Sequence, residues 1–211
     1  NHPTGFMGAG NGTTCSNPLA EAHLNWNKTE TTLINGNAWA IYEILPGLNY
    51  KLNLGVDYYN TMTQNYDGDY VIVYLTHSPD QYDISSLKSN RVLYENTLSF
   101  ERSFGKHNIS VLAGITSEQT KRLGVIAGAR AMASESVLSL GGTRDNESRV
   151  VGSSEFESAM YSILGRINYS FDSKYMLTAN FRRDGSSNFS KKNRYGNFPS
   201  FSAAWRISQE R

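Results

Sequence analysis

Long apolar runs are missing from this chain. Its 211 residues are 39% hydrophobic with a mean hydropathy of -0.47, and nowhere do they reach the roughly 18 consecutive apolar residues that a membrane-crossing helix needs. A helical membrane protein is therefore excluded. Cysteine is almost absent: the single Cys15 has no intrachain partner, so disulfides do not staple the fold. Excess charge is missing too. Twenty Lys and Arg against 19 Asp and Glu leave a net charge of +1, which supplies no long-range pull toward nucleic acid. Proline is scarce at 5 residues, whereas 18 Gly, 13 Tyr and 12% aromatics favour a β-rich protein with many turns. The start, Asn1-His2-Pro3-Thr4-Gly5, has no basic segment leading into an apolar one. The end breaks off just after a strong strand pattern. Both point to a piece of a longer exported protein.

What the sequence does contain is alternation. Tyr161, Ile163, Gly165, Ile167, Tyr169 and Phe171 fall on one face of a predicted strand, with Ser162, Leu164, Arg166, Asn168 and Ser170 on the other; Leu164 is the one apolar residue among the polar set. Tyr175, Leu177, Ala179 and Phe181 alternate likewise with Met176, Thr178, Asn180 and Arg182. Phe201, Ala203, Trp205 and Ile207 alternate with Ser200, Ser202, Ala204, Arg206 and Ser208. A period of two places an apolar surface opposite a polar one. Further upstream, the same period predicts strands over 33–44, 48–58, 91–104 and 107–117, which puts Asn53 and Ser110 on the polar side. Residues 59–90 read as a loop with a short strand or hairpin at Tyr70–Leu75. Residues 118–156 read as a loop with helical character at Ala127–Leu140, and Pro18–Ala22 as a helical turn.

Predicted connections alternate in length: short at 45–47, 105–106 and 172–174, long at 59–90, 118–156 and 184–199. Aromatics cluster beside the short ones: Tyr42, Tyr50, Phe100, Phe104, Tyr169, Phe171 and Tyr175. Short turns at one end, long loops at the other and an aromatic belt are the pattern of a transmembrane β-barrel. The expected fold is all-β: a partial transmembrane antiparallel barrel with long extracellular loops. Leu52, Leu54, Val111, Ile163, Ala179 and Ala203 would face lipid. Asn53, Ser110, Arg166, Asn180, Arg182 and Arg206 would face the lumen, where a structural polar network outweighs a ligand site. A β-sandwich that binds carbohydrate or mediates adhesion also alternates, but gives no reason for short turns at one end only.

The segment Arg182–Ser208, RRDGSSNFSKKNRYGNFPSFSAAWRIS, resembles the barrel motif of SusC/RagA-type TonB-dependent outer-membrane transporters of Bacteroidetes. It carries Arg183, Asp184, Gly185, Ser186, Ser187 and Phe189, then Asn193, Arg194, Gly196, Phe198 and Pro199, and a strand ending in Ala204-Trp205-Arg206. Asn17-Pro18-Leu19, Gly36-Asn37-Ala38 and Pro46-Gly47-Leu48 agree more weakly. The resemblance implies that residues 1–211 are part of a plugged barrel of roughly 22 strands, of which about seven are expected here. It also implies a bacterial outer-membrane location and energised uptake of an oligosaccharide or peptide. The partners implied are outer-membrane lipid, a SusD-like surface lipoprotein and the TonB-ExbB-ExbD complex, the last contacted through an N-terminal part outside these residues. Asp184-Gly185 would shape the motif loop as an Asx turn.

Other chemistry finds little support. Tyr66-Asp67-Gly68-Asp69 lacks the remaining oxygens and distal Glu of a calcium loop, and His2, His23, His77 and His107 share no ligand spacing. Gly8–Gly12 has no Lys-Ser/Thr to make a phosphate loop. No nucleophile elbow occurs. Neither catalysis, a metal nor a cofactor is expected. Trp26, Tyr66 and Tyr70 could stack on sugar rings, although a loop Tyr more often only packs its own loop.

Overall fold

The computed structural model describes residues 22–72, 75–136 and 138–210, with side chains placed outside 70–77. Among these residues lie strands β1 (Asn25–Leu45), β2 (Leu48–Asp67), β3 (Tyr70–Ile72), β4 (Leu75–His77), β5 (Gln81–Phe104), β6 (His107–Arg130), β7 (Val150–Phe171), β8 (Tyr175–Ser186) and β9 (Tyr195–Trp205). Seven form one antiparallel sheet in the order β1-β2-β5-β6-β7-β8-β9, and β3 and β4 pair as a separate hairpin. Each long strand thus lies beside its neighbour in the chain, the hairpin interrupting only the β2–β5 connection.

Three tight turns join these strands. Gly47 (φ +83°) follows Pro46 in the first and Gly105 (φ +60°) sits in the second. In the third, Asp172 and Ser173 take φ of +50° and +54°, and the Lys174 N–H donates to the Phe171 carbonyl at 2.9 Å. Left-handed residues suit such a hairpin because their twist matches that of the flanking strands. Backbone bonds tie each turn to the adjoining strand: Glu101 N–H to Gly47 O at 2.8 Å, Asp172 N–H to Lys106 O at 2.7 Å and Arg206 N–H to Lys174 O at 2.8 Å.

The chain divides into two compact units. One comprises Ile34–Tyr58, Ser89–Lys121 and Phe156–Arg211. Its apolar face is bare: Leu54, Val56, Ile163, Ile167 and Leu177 are exposed, and Phe201 is 81% exposed. A sandwich would have covered them with a second sheet, so that reading is set aside. Beside the tight turns, aromatic rings run from His107 to Phe171 (4.9 Å), Tyr175 (6.4 Å) and Trp205 (6.4 Å). The belt expected from Tyr169, Phe171 and Tyr175 is thereby extended by His107, whose Nδ1 lies 2.7 Å from the Tyr169 hydroxyl, and by Trp205.

The other unit comprises the described residues up to Leu33, Tyr59–Lys88 and Arg122–Glu155. It holds a small core of Tyr66, Tyr82, Ala129 and Met132. Buried Asp80 organises that core: it accepts from the Tyr66 hydroxyl at 3.1 Å and the Met132 N–H at 2.9 Å, and its carbonyl accepts from the Ala131 N–H at 2.9 Å. Trp26 packs against Tyr66 and Tyr82, each at 6.3 Å. Tyr66 is therefore a buried core residue instead of a stacking surface, and Trp26 is its lid; the Tyr70 side chain lies outside the described residues.

Several expected boundaries are corrected. Most of the loops expected at 59–90 and 118–156 continue the strands, leaving 68–80 and 131–149 as connections. Ala127–Arg130 ends β6, and a 3-10 turn at Leu140–Gly142 is what the rest of the expected helical segment contains. Ladder hydrogen bonds hold a strand whether or not its side chains alternate, so these extensions form without the pattern that marks the other unit. The last strand stops at Trp205, and Ile207–Gln209 forms a 3-10 turn. Of the helical turn expected at Pro18–Ala22 only Ala22 is described, at the start of a helical turn over 22–24, and the expectation at Gly8–Gly12 lies outside the described residues.

Candidate functional site: the polar face

Cross-strand register shows which polar residues meet. Arg166 faces Asn180 on β8, and Asn180 faces Ser200 on β9. Arg166 Nε donates to Asn180 Oδ1 at 2.7 Å, and Asn180 Nδ2 donates to Ser200 Oγ at 3.1 Å, a relay over three strands. One row nearer the tight turns, Thr178 Oγ1 donates to Asn168 Oδ1 at 3.0 Å. One row farther away, Arg182 Nε donates to Asp184 Oδ1 at 2.6 Å and its Nη2 to the fully buried Ser162 hydroxyl at 3.3 Å. A four-strand row crosses β1, β2, β5 and β6: Asn35 donates to Asp57 at 2.7 Å, and Arg91 bridges Asp57 (3.3 Å) and Glu118 (2.8 Å). Asn53 Nδ2 donates to Glu95 Oε2 at 2.6 Å. Ser110 Oγ donates to Glu101 at 3.4 Å.

Five of the six predicted polar-face residues, Asn53, Ser110, Arg166, Asn180 and Arg182, take part in such contacts. Arg206 lies past the end of β9, where its backbone N–H donates to the Lys174 carbonyl in the β7–β8 turn, and among the described residues its side chain joins none of these rows. The Arg91–Glu118 link was missed in the sequence because Glu118 had been placed in a loop. The signal was available, since Glu118 shares the even-numbered face that carries Asn108, Ser110 and Thr116.

Apolar residues on this face lie over glycine. A Cβ added to Gly114 would meet Leu164 Cδ1 at 3.3 Å and Thr97 Cγ2 at 3.0 Å; one added to Gly55 would meet Leu93 Cβ at 3.4 Å. Leu164, the odd residue in its strand pattern, thus fills the space a side chain at Gly114 would occupy. Each of the two units carries a concavity. One of about 410 Å³ is lined by Glu101, Asn108, Ser110, Asn168, Met176 and Thr178 among others. The second, of about 520 Å³, lies in the smaller-core unit and is lined by Thr61, Thr63, Ser85, Leu87, Gly124 and Ser154 among others.

The motif Arg183–Pro199 is mostly strand. Arg183–Ser186 belong to β8 and Tyr195–Pro199 to β9, leaving 187–194 as the connection. Asp184 and Gly185 are paired on both sides, with Ser162 and Tyr161 of β7 and with Gly196 and Tyr195 of β9. The expected Asx turn at Asp184-Gly185 is therefore corrected: continued ladder pairing displaces the local turn. Gly185 leaves room for the Tyr195 ring and Gly196 for the Phe198 ring. The Arg183 guanidinium lies 4.8 Å above the Tyr195 ring. Ser187 clasps Ala159 twice, donating its N–H to the Ala159 carbonyl at 2.9 Å and accepting from the Ala159 N–H at 2.8 Å through Oγ. Ser186 accepts from the Phe189 N–H at 3.3 Å, and the Asn193 N–H donates to Ser190 at 3.0 Å. Arg194 O accepts from the Ser186 N–H at 3.1 Å.

No protein-family model matches the chain. Among curated proteins it is 32% identical over 198 residues to TonB-dependent receptor P3 of Formosa agariphila, covering 92% of this chain and 19% of that protein. It is 27% identical over 200 residues to TonB-dependent receptor SusC of Bacteroides thetaiotaomicron, again covering 92% of this chain and 19% of the relative. Among solved structures, the RagAB peptide transporter superposes with a TM-score of 0.82 at 23% identity, over 90% of this chain and 22% of that one. The RagAB peptide importer in its open-open state gives the same score over 90% and 21%. Sheet, turns and matches together define part of the barrel of a TonB-dependent outer-membrane protein. The chain is thus similar over nearly all of its length to TonB-dependent receptors, SusC among them. It spans about a fifth of the length of the curated relatives it matches.

Proposed function

We propose that this chain forms part of the wall of an energised importer, with its apolar face against lipid and its polar face lining the lumen. The carrying observation is the segregation of the sheet: exposed Leu177, Ile167 and Phe201 on one side, and the Arg166–Asn180–Ser200 and Asn35–Asp57–Arg91–Glu118 rows on the other. Hydrocarbon stabilises the first surface and would penalise the second. The cargo is a nutrient of oligosaccharide or peptide type. A SusD-like lipoprotein covers the mouth, and the TonB-ExbB-ExbD complex supplies energy through another part of the protein. The similarity to TonB-dependent receptors supports this reading, as does the description of its structural neighbours as peptide transporters.

The test uses the full-length protein in outer membranes, with single cysteines placed at Asn53, Ser110 and Asn180 or at Leu177 and Ala203. The first three are expected to react with a small, water-soluble thiol reagent, and the last two to resist it while being quenched by lipid-borne bromine. The reverse pattern would overturn the assignment of faces. Growth on a cargo that is unaffected by removing the protein or TonB would overturn the transport role.

A further inference from the structure

The apolar face of the β7–β8–β9 region ends in a row of a different character. On β8, Tyr175, Leu177, Ala179 and Phe181 lead by twos to Arg183 and Gly185. Gly185 pairs with Tyr161 on one side and Tyr195 on the other. About ten residues at ~3.3 Å each, tilted by ~45°, cover ~23 Å, close to the ~25 Å height of an outward apolar band. Tyr161 and Tyr195 therefore stand at the boundary opposite the tight turns, and the Tyr195 ring holds Arg183 at that level.

The charge at this boundary is unbalanced. Lys121 on β6 is neutralised by Glu157 on β7 at 3.1 Å. On the β8–β9 hairpin, by contrast, Arg183, Lys191 and Lys192 are exposed with no carboxylate partner among the described residues. Arg194 adds a buried Nε that has no hydrogen-bond partner. The one acid in the segment, Asp184, lies on the opposite face and is held by Arg182. Cations beside an aromatic rim, facing the level of the outer headgroups, suit a lipid bearing anionic groups.

We propose that the outer rim of this hairpin, through Arg183, Lys191 and Lys192, binds the phosphate groups of the outer-leaflet glycolipid. The proposal rests on the assignment of the apolar face to lipid. Binding would fix the hairpin at the membrane boundary and give the barrel a preferred lipid shell.

The experiment places the full-length protein in phosphatidylcholine nanodiscs doped with lipid A or with dephosphorylated lipid A, and measures retention of each. Wild type is expected to retain the phosphorylated form preferentially. The triple variant R183Q/K191Q/K192Q should lose about 100-fold in retention, at about fivefold per cation, whereas R183K/K191R/K192R should keep it. Equal retention of both lipids, equal retention by wild type and the glutamine variant, or loss in the charge-preserving variant would each overturn the proposal. A Leu177→Cys label quenched by lipid-borne nitroxide in the same discs separates the two readings. Absence of quenching overturns the face assignment itself; quenching without lipid A preference overturns only the headgroup site.

Discussion

Leu164 shows how one residue that breaks a pattern can be part of its logic. Alternation alone marks it as an error on a polar face; its position over Gly114 shows that the pair fills one volume shared by neighbouring strands. Gly114→Val would force branched atoms into space already held by Leu164, Thr97 and the Asn96 carbonyl. It is expected to cost about 1–3 kcal/mol. Urea titration of the full-length protein in lipid, followed by heat-modifiable gel mobility, should register that loss, and adding Leu164→Ala should recover part of it. An unchanged midpoint for Gly114→Val would show that the face yields there. Asp80 is the polar counterpart: one buried carboxylate satisfies donors from both β2 and the segment after β6.

At the scale of the element, turn chemistry decides register. Gly47 combines φ +83° with a close approach to the Glu101 carbonyl, so a methyl group there suffers both backbone strain and collision. Gly47→Ala is expected to lower the yield of folded barrel in the membrane, whereas Gly105→Ala, which meets nothing within 4 Å, should incur the conformational cost alone. Comparable yields for the two variants would show that the Glu101 contact is unimportant. Elements of this kind were legible in the sequence, since Pro46-Gly47, Gly105-Lys106 and Asp172-Ser173 punctuate clean alternation. The polar face was legible for the same reason at Asn53, Ser110, Arg166, Asn180 and Arg182. Illegible were the outer halves of the strands. Tyr59–Asp67 mixes Asn, Thr, Gln and Tyr on both faces, so neither period nor composition separates it from a loop, and its pairing depends on partners far along the chain. At Arg206–Ser208 the alternation of the sequence continues past Trp205, where the strand ends.

Taken as a whole molecule, the sheet has two edges, β1 and β9, and one large apolar face. Isolated in water, these 211 residues would expose both unpaired backbone and lipid-seeking side chains, a combination that drives association. Expressed alone without detergent, the chain is expected to be recovered as aggregate. A soluble monomer with native-like β circular dichroism would contradict the barrel-wall reading.

The unequal connections carry a last consequence, for where such a wall can change over time. A connection that closes in two or three residues is fixed by the geometry of its own backbone, so any insertion at 46–47, 105–106 or 172–174 must break a hydrogen bond to the neighbouring strand. At 131–149 or 187–194 the ends are already bridged by longer segments, and doubling such a loop adds only about 0.6 kcal/mol of closure entropy. One rim of the sheet is therefore free to acquire new sequence and the other is not, so the protein can diversify its outward surface while the wall beneath keeps its register.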